Sequence, residues 1–407
     1  MSKFTKLIKN PKLFFSDALK KRKKPAPKKP APKKPAPKKL APKKPEKLLL
    51  NNINFILPIK FILHTGEKNG ALAHLNLWIE YFEDANIDYI ILVRHIEAYS
   101  AIVEKYPYLK VIFAKNKPEI DNIMQKLPLI KACFYPSNTG NNLHLLFYSK
   151  INHIFLGHGD SDKTASAHKY FRVYDENWVS GEAHIDRFKN AGFDCDRLKQ
   201  VKVGRPNLYK IIEKSQTKWK DRFSGKYKVL YLPTWEGTYK EQDYSSLSII
   251  KQNIELLNNV EKLDINVKLH PFSGNREKHF LSLENELLEF EHCNVTNKQE
   301  TVNNCISNSN IFICDISAVV SECLSSNAPI FLYIPKGKDI KISKSNMPYE
   351  DYCYVFSTPD ELLEKLNLLL NGDDFLKDNR ERAMEYILNK TATINMEFQK
   401  QLERVGE

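Results

Sequence analysis

Cysteine is scarce and unpatterned in this sequence of 407 residues. Its seven cysteines lie at positions 133, 195, 293, 305, 314, 323 and 353, with no Cys-x-x-Cys pair and no histidines at metal-ligand spacing. A dispersed, odd number of cysteines does not indicate a disulfide framework and suits a reducing cytoplasm. The sequence therefore predicts neither a disulfide-stabilised secreted fold nor a metal site.

Long apolar runs are also absent. The longest, from Ile53 to Leu63, is interrupted by Asn54, Pro58 and Lys60, and it falls short of the roughly 20 apolar residues that a membrane-spanning helix needs. The N-terminus lacks the apolar segment and small-residue cleavage site of a signal peptide. We therefore expect a cytoplasmic protein that does not span the membrane.

The net charge of +13 is carried by one end of the chain. Residues 1–47 hold 18 of the 62 Lys and Arg residues and two acids, Asp17 and Glu46. The remaining residues carry 44 basic and 47 acidic side chains, so the body of the protein is slightly acidic. We therefore predict no nucleic-acid partner.

The basic tail has two parts. Residues 1–20 mix Lys with Phe and Leu side chains, which is typical of a segment that lies in a membrane interface. Residues 21–47 contain Pro-Ala-Pro-Lys-Lys three times from Pro25 and then Leu-Ala-Pro-Lys-Lys from Leu40. Dense proline and like charges favour an extended linker without a core. We expect this tail to hold the protein peripherally on the anionic inner face of the cell membrane; the alternative is a low-complexity tail without function.

From about residue 53, apolar runs alternate with helical patterns. The predicted strands are 59–63, 88–93, 109–113, 131–135, 152–156, 227–232, 264–269, 292–296, 310–314 and 329–333. The predicted helices are 70–85, 95–105, 117–127, 140–150, 244–258, 276–290, 299–306 and 316–326, and residues 358–405 are predicted to be helical throughout. This alternation predicts parallel sheets with helices on both faces. Two doubly wound, Rossmann-type α/β domains in series, 48–222 and 223–407, indicate a GT-B-like architecture with a cleft between them, where such sheets bind ligands.

The first candidate site residue is His158, in the segment Phe-Leu-Gly-His-Gly-Asp-Ser-Asp-Lys at residues 155–163. A histidine at the carboxyl end of a strand can act as a general base, because its pKa lies near the working pH. Gly159 allows close backbone approach, and Lys163 supplies a cation for a phosphate. A loop with a solvated run of charges explains the same residues without a function.

Two further strand ends carry candidate residues. His270 follows the predicted strand 264–269, and Pro271 stops that strand. A single His-Pro pair is a weak signal, and a histidine hydrogen-bonded within a loop accounts for it as well. The end of strand 227–232 carries Thr234 and Trp235; Trp235 either closes the cleft or lies near a donor.

Asp315 and Ser317 lie where the predicted strand 310–314 gives way to helix 316–326. Either residue could simply cap the helix, which needs no ligand. In the functional interpretation, free backbone N–H groups and the helix dipole bind a phosphate and Ser317 adds a hydroxyl. Glu322 would then lie far enough into the helix to reach ribose hydroxyls.

All of these residues lie at predicted strand ends that face the cleft. Together they supply a base, cations and backbone dipoles for phosphate, but no metal cage. That set matches phosphoryl transfer, in which positioning and charge stabilisation provide most of the catalysis. We therefore predict a transferase that needs neither a metal ion nor a cofactor.

The motifs resemble those of the CDP-glycerol glycerophosphotransferases of teichoic-acid synthesis and their relatives in bacterial capsule synthesis. The resemblance covers about residues 150–335, with the motifs in the same order. It rests on a His-Gly-x-x-x-Lys segment at 158–163, a Pro-Thr-Trp strand end at 233–235, His270-Pro271, the Asp-Ile-Ser helix start at 315–317, the acid Glu322, and Ala-Pro-Ile at 328–330. The family differs in having a second Ser where Ala318 stands, and Thr and an apolar residue where Asp160 and Asp162 stand.

The resemblance implies a GT-B fold, a CDP-activated alditol donor such as CDP-glycerol, and one catalytic histidine from each domain. Domain 48–222 would take the acceptor and domain 223–407 the donor nucleotide. The implied catalytic residues are His158 and His270. We predict Thr234, Asp315, Ser317 and Glu322 as donor-binding residues, with Lys163 and Arg276 as further candidates for the phosphate charge. The expected acceptor is a lipid-linked glycan of a capsule or teichoic-acid-like polymer. A single catalytic unit favours priming over long polymerisation, and other capsule-synthesis proteins are candidate partners.

Two other functions are compatible with parts of the sequence. A CMP-sugar-dependent capsule glycosyltransferase of the same architecture, of the sialyl or Kdo type, would share the His-Pro pair. A Lys-rich adaptor without enzymatic activity would explain the tail, but it would not explain ordered motifs in an acidic body. The His-Gly-x-x-x-Lys segment favours the alditol-phosphate transferase.

Overall fold

The computed structural model describes residues 59–159, 167–192, 194, 196–239, 243–338, 340, 342–389 and 394–407. The expectations for residues 1–47 and for Lys163 lie outside these residues. All of these residues belong to one compact unit of the chain, which begins at Leu48.

The first lobe is built on a seven-stranded sheet. Its strands are β1 (Phe61–Thr65), β2 (Tyr89–Val93), β3 (Val111–Phe113), β4 (Ala132–Tyr135), β5 (Asn152–Phe155), β6 (Glu176–Val179) and β7 (Lys199–Lys202). All neighbouring strands pair in parallel, in the order β3-β2-β1-β4-β5-β6-β7. The strand order therefore reverses between β1 and β4, which places a ligand crevice at the carboxyl ends of these two strands.

The second lobe repeats this plan with a six-stranded parallel sheet. Its strands are β8 (Tyr227–Leu232), β9 (Leu263–Val267), β10 (Cys293–Val295), β11 (Ile311–Asp315), β12 (Ile330–Tyr333) and β13 (Tyr354–Phe356). Their order is β10-β9-β8-β11-β12-β13, so the reversal lies between β8 and β11. The central strands are almost wholly apolar because helices cover both faces. This architecture confirms the expected pair of doubly wound α/β domains.

Helices connect the strands. They are α1 (Ala71–Asp84), α2 (Ile96–Lys105), α3 (Lys117–Lys126), α4 (Leu143–Leu146), α5 (Glu182–Asn190), α6 (Tyr209–Lys214), α7 (Ile250–Asn258), α8 (Leu283–Leu287), α9 (Val302–Ser307), α10 (Val319–Leu324), α11 (Tyr349–Tyr352), α12 (Pro359–Leu370), α13 (Lys377–Leu388) and α14 (Ile394–Gly406). Their starts follow local chemistry: the Asn116 side chain accepts the N–H of Glu119, 3.0 Å away, and Thr358 caps α12 in the same way. Among the described residues, no helix is both long and apolar enough to cross a membrane.

Three strands were not predicted, because they are short or polar. β6 contains Glu176 and Asn177, both buried, and the Glu176 carboxylate is held by Arg404, Lys199 and the indole N–H of Trp178. β7 is an edge strand of alternating Lys, Gln and Val, and β13 has only three residues. Several helices are also shorter than predicted: 276–290 contains a 3₁₀ turn at Lys278–Ser282 followed by α8, and 140–150 contains a 3₁₀ turn at Gly140–Asn142 followed by α4.

The last helix corrects the predicted domain boundary. Residues 223–407 were assigned to the second domain, but α14 packs against the first sheet. Phe398 lies 5.6 Å from the ring of Trp78 and 5.7 Å from that of Trp178, and Leu402 and Val405 join the same core. The pattern of α14 is amphipathic, and such a pattern does not reveal which of two similar sheets its apolar side will cover.

Replacing Phe398 with Ala should destabilise the first lobe. The side chain is 1% exposed, and truncation of a buried Phe costs about 3–5 kcal/mol because a cavity remains. Urea unfolding followed by tryptophan fluorescence measures this loss. Met396 lies on the same helix and is 66% exposed, so Met396→Ala is the control and should change the free energy of unfolding by less than about 0.5 kcal/mol. Equal effects of the two variants would refute the docking of α14.

Candidate functional site

The two lobes face each other across a cavity of about 670 Å³. Its walls come from the carboxyl ends of strands in both sheets, as expected for doubly wound folds. The polar side chains of the first lobe that line it are Glu67, Asn138, His158, His168, Asn177, His184 and Arg205. The corresponding residues of the second lobe are Thr234, Trp235, Lys268, His270 and Ser317. The cavity therefore brings together four of the eight predicted site residues: His158, Thr234, His270 and Ser317.

His158 lies three residues beyond the end of β5, and one nitrogen of its ring is bonded to the backbone. Its Nδ1 lies 3.0 Å from the carbonyl oxygen of Pro136. A carbonyl oxygen can only accept, so Nδ1 carries the proton and Nε2 has a free lone pair. Burial and the neighbouring His74 lower the pKa of His158 to about 4. The ring is therefore neutral near pH 7 and can accept a proton at Nε2.

The backbone before His158 is shaped by Gly157. Its φ of 72° lies in the left-handed region, which a glycine adopts without strain. The indole N–H of Trp78 donates to the Gly157 carbonyl oxygen over 2.8 Å, and Arg205 donates to the carbonyl of Leu156 over the same distance. These bonds hold the strand end that presents His158, so the core of the first lobe sets the position of that side chain.

Sequence reasoning missed a pair of residues beside His158. The rings of His74 and His158 are stacked, with centroids 3.7 Å apart and planes at 14°. The Nδ1 of His74 lies 2.6 Å from a carboxylate oxygen of Glu67, which itself lines the cavity. Glu67 comes from the β1–α1 connection and His74 from the first turn of α1. They precede His158 by 84 residues or more, and no local motif marks them.

His270 is the opposite tautomer of His158. Its Nδ1 accepts the backbone N–H of Phe272 over 3.1 Å, so in the neutral ring the proton is on Nε2. Trp235 stacks near His270 with centroids 6.3 Å apart, and Phe272 lies 5.5 Å from the imidazole. The geometry thus offers one histidine as a proton acceptor and the other as a hydrogen-bond donor.

Asp315 does not line the cavity, contrary to its prediction as a donor-binding side chain. Its carboxylate is fully buried and accepts the backbone N–H groups of Thr234 at 2.7 Å and Ser246 at 3.0 Å. Burial raises the pKa of Asp315 to about 7, although these N–H groups favour the carboxylate. Asp315 therefore positions the loop after β8. Of Asp315 and Thr234, it is Thr234 that lines the cavity.

The segment after β11 does reach the cavity, although the helix there begins later than predicted. Ser317, Ala318 and Val319 line the wall, and α10 runs only from Val319 to Leu324. Glu322 lies in the first turn of α10, on a small neighbouring pocket that His158 and Arg205 also border. The structure therefore puts Glu322 beside the site but not on the wall of the main cavity.

Arg276 is engaged in holding the rim of the second lobe. Its guanidinium bonds the Glu236 carbonyl, Asp243 at 2.8 Å and Glu277 at 2.7 Å. The buried Glu236 carboxylate in turn accepts three backbone N–H groups, from residues 274, 276 and 277. Arg276 is not among the residues that line the cavity, and its contact with the donor stays a prediction.

Two cations that were not predicted line the cavity instead. Lys268 is 8% exposed and donates to the carbonyl of Asn297 over 3.3 Å. It precedes His270 by two positions, and residues two apart on an extended segment share a face; this spacing could have identified it. Arg205 is 5% exposed and follows β7, a strand that the sequence did not reveal. With these cations and a single cavity-lining acid among the described residues, Glu67, the site suits an anionic ligand.

Among the described residues, no cluster of three or more His, Cys, Asp or Glu side chains could hold a metal ion. Lys163 and the two acids of its motif are not among those residues, so the predicted role of Lys163 stays a prediction.

The sequence matches the family described as CDP-Glycerol:Poly(glycerophosphate) glycerophosphotransferase over residues 151–390, more than half of the chain. The chain belongs to this family. It is therefore a glycerophosphotransferase, in agreement with the resemblance of its motifs. No protein of curated function matches the sequence significantly.

Solved structures share the fold. The wall teichoic acid polymerase TagF is 15% identical, with 86% of this chain and 90% of that chain covered and a TM-score of 0.59. A TagF variant soaked with CDPG is 14% identical over 88% and 91% of the two chains, with a TM-score of 0.57. UDP-GlcNAc 2-epimerase from Neisseria meningitidis, bound to UDP-GlcNAc, is 11% identical over 85% and 100%, also with a TM-score of 0.57. The GT-B-like fold of this glycerophosphotransferase is thereby confirmed.

The two lobes touch at the site itself, and Gly159 allows this contact. A Cβ added at Gly159 would lie 2.8 Å from the Cβ of Ala318, closer than real Cβ atoms approach. Ala318 belongs to the segment that lines the cavity after β11. The side chain that replaces the family's second Ser is thus packed against the backbone that follows His158.

Gly159→Ala should push the lobes apart, whereas Gly159→Ala combined with Ala318→Gly should not. Overpacking costs about 1–3 kcal/mol, and the second substitution removes the clashing methyl group. The coupling energy of a double-mutant cycle, taken from urea unfolding and from turnover, measures the contact. Additive effects would show that the two residues do not touch in solution. Gly140→Ala is the control, because no atom lies within 4 Å of an added Cβ there and its φ is not positive. Gly192 is equally open, but its φ of 74° would strain an alanine, so Gly192→Ala is not suitable.

Proposed function

We propose that this enzyme transfers glycerol phosphate from CDP-glycerol to a hydroxyl group of a lipid-linked glycan, in the synthesis of a capsule or teichoic-acid-like polymer. The observation that carries the proposal is that His158 and His270 line one cavity as different tautomers, the first with its proton on Nδ1 and the second with its proton on Nε2. A neutral base and a hydrogen-bond donor, flanked by Lys268 and Arg205, meet the needs of phosphoryl transfer.

His158 is the proposed general base. Its Nε2 accepts the proton of the acceptor hydroxyl as that oxygen attacks the distal phosphorus of the donor. The new bond joins the acceptor oxygen to phosphorus, and the bond from phosphorus to the CMP oxygen breaks. The burial that keeps His158 neutral also supports this role, because a protonated imidazole could not accept the proton.

The second lobe is proposed to hold the donor. The Nε2–H of His270, the ammonium group of Lys268, and the hydroxyl and backbone of Ser317 surround the space where the diphosphate would lie. Their charge and hydrogen bonds stabilise the CMP leaving group. Thr234 and Trp235 complete this wall, while Glu322 remains the candidate for the ribose hydroxyls. Because protein cations meet the phosphate charge, we propose a reaction that needs no metal ion.

The acceptor and its membrane are inferred from the rest of the sequence. The residues after position 47 are slightly acidic, so an anionic membrane would repel them, whereas the tail carries a charge of +16. Basic residues near an anionic leaflet contribute about 1 kcal/mol each. We propose that residues 1–47 hold the enzyme at the inner face of the membrane, where the lipid-linked acceptor lies. The proposed step is the addition of one or few glycerol phosphate units, as in priming.

The donor assignment is tested with purified protein, a soluble acceptor fragment, and a panel of CDP-glycerol, CDP-ribitol and CMP-sugars. We expect CMP release with CDP-glycerol and a mass increase of one glycerol phosphate on the acceptor. His158→Ala should lower turnover about 10²–10⁴-fold, the usual contribution of a general base. In the wild type, kcat/KM should fall on the acid side as pH drops toward 4, because His158 then becomes protonated in the free enzyme.

The controls separate the parts of this proposal. His95→Ala changes a histidine outside the cavity and should leave turnover unchanged. Transfer of a sugar from a CMP-sugar would replace the proposed reaction with glycosyl transfer. Normal turnover in His158→Ala would show that His158 is not the general base. Activity that is lost in EDTA and restored by a divalent cation would contradict a metal-free reaction.

Deletion of residues 1–47 should abolish sedimentation with liposomes that contain anionic phosphatidylglycerol, while turnover on a soluble acceptor fragment stays intact. The physical reason is the loss of the basic side chains, since the body repels an anionic surface. The full chain should bind less tightly as salt rises, and neutral phosphatidylcholine liposomes are the control. If the truncated protein still sediments with anionic liposomes at physiological salt, the membrane contact lies in the body.

A further inference from the structure

Within the described structure, the side chain of His158 has one hydrogen bond, from Nδ1 to the Pro136 carbonyl. This bond selects the tautomer, but the ring can still turn about its Cα–Cβ and Cβ–Cγ bonds over the range of angles that one hydrogen bond tolerates. The direction of Nε2 decides whether the acceptor proton can be taken, since general bases act within hydrogen-bond reach. A second contact is therefore needed to fix the plane of the ring.

The face of His74 provides that contact. The two rings are nearly parallel at 14° with centroids 3.7 Å apart, so a turn of the His158 ring about its Cβ–Cγ bond would drive it into His74. The nitrogens of an imidazole lie in its plane, and within the described structure no hydrogen bond joins the two rings. His74 thus contacts His158 through a face and cannot relay its proton.

Glu67 fixes His74 in turn. A carboxylate oxygen of Glu67 lies 2.6 Å from the His74 Nδ1, and the backbone N–H of Glu67 donates to the hydroxyl of Thr65 over 3.2 Å. The side chains of His74 and Glu67 are only 23% and 20% exposed. Glu67 lies in the connection after β1 and His74 in the first turn of α1, next to the point where the strand order of the first sheet reverses.

We propose that Glu67 and His74 form a positioning pair that holds the His158 ring in the orientation needed to accept the acceptor proton. This inference rests on the proposed role of His158 as the base. His74 does not line the cavity, so it acts through His158; Glu67 does line the cavity, and its part in the pair is its bond to His74. Among the described residues, the charged and titratable groups that face His158 are Glu67 from the β1–α1 connection, His74 from the start of α1, Arg205 from the segment after β7, and Glu322 from α10.

The kinetic test compares His74→Ala, His74→Phe and Glu67→Gln with CDP-glycerol as donor. His74→Ala should lower kcat about 10- to 100-fold, the usual effect of misplacing a catalytic group, and should leave KM for CDP-glycerol within about twofold. His74→Phe keeps an aromatic face without the bond to Glu67, so its kcat should lie between those of His74→Ala and wild type. A change in KM with kcat preserved, or three variants with wild-type kcat, would overturn the positioning role.

A second measurement does not depend on turnover. NMR titration of ring-labelled histidines, with the His158 signals assigned from His158→Ala, reports the ring directly. In His74→Ala the pKa of His158 should rise, because one buried face opens to water and a neighbouring imidazole is lost; in His95→Ala it should not move. An unchanged His158 titration in folded His74→Ala contradicts the pair. If His158→Ala itself retains full turnover, the base assignment fails, while the titration still decides whether His74 and Glu67 hold the ring.

Discussion

Parallel strand direction is the constraint on which the rest of the structure depends. Because every strand pair in both sheets is parallel, all carboxyl ends of one sheet meet at one edge. The two lobes turn these edges toward each other, so that residues far apart in the chain share one cavity. His158, Lys268 and Ser317 all owe their place to this arrangement, since each follows or ends a strand of one of the sheets. Function in this fold therefore lies in the loops after strands, while the strands and helices provide rigid support.

Buried polar anchors then hold those loops. Asp315 binds the backbone of the loop after β8, and Glu236 gathers three N–H groups of the rim at residues 274–277. In the first lobe, Trp78 and Arg205 hold the carbonyl groups before His158. An unpaired backbone group in such a place would be costly, so these anchors combine stability with precise placement. They also explain why two predicted ligand contacts, Asp315 and Arg276, are found in supporting positions.

The two histidines show how a fold can assign different tasks to the same side chain. One bonds a carbonyl through Nδ1, so that its Nε2 can accept; the other accepts an N–H at Nδ1, so that its proton is on Nε2. Neither assignment requires a charged neighbour, because the backbone partner alone selects the tautomer. The stacked His74 and its partner Glu67 add orientation to this chemistry from a part of the chain without any recognisable motif.

The sequence alone predicted the alternation of strands and helices, because short apolar runs and helical periods are local properties. It also predicted that His158, His270, Thr234 and Ser317 lie at strand ends, since each directly follows an apolar run. It did not reveal β6, in which the buried Glu176 is paired with the distant Arg404, or β7, which is polar and partly exposed. Arg205 after β7 was missed for the same reason.

Only the tertiary structure decided which sheet α14 covers, that Gly159 meets Ala318, and that Glu67 and His74 lie against His158. Contacts of this kind join residues that are separated by tens to hundreds of positions and depend on how two lobes pack. A local pattern specifies which face of a segment is apolar or which residue ends a strand. It does not specify the partner, because several surfaces of the same chain offer an equally apolar face.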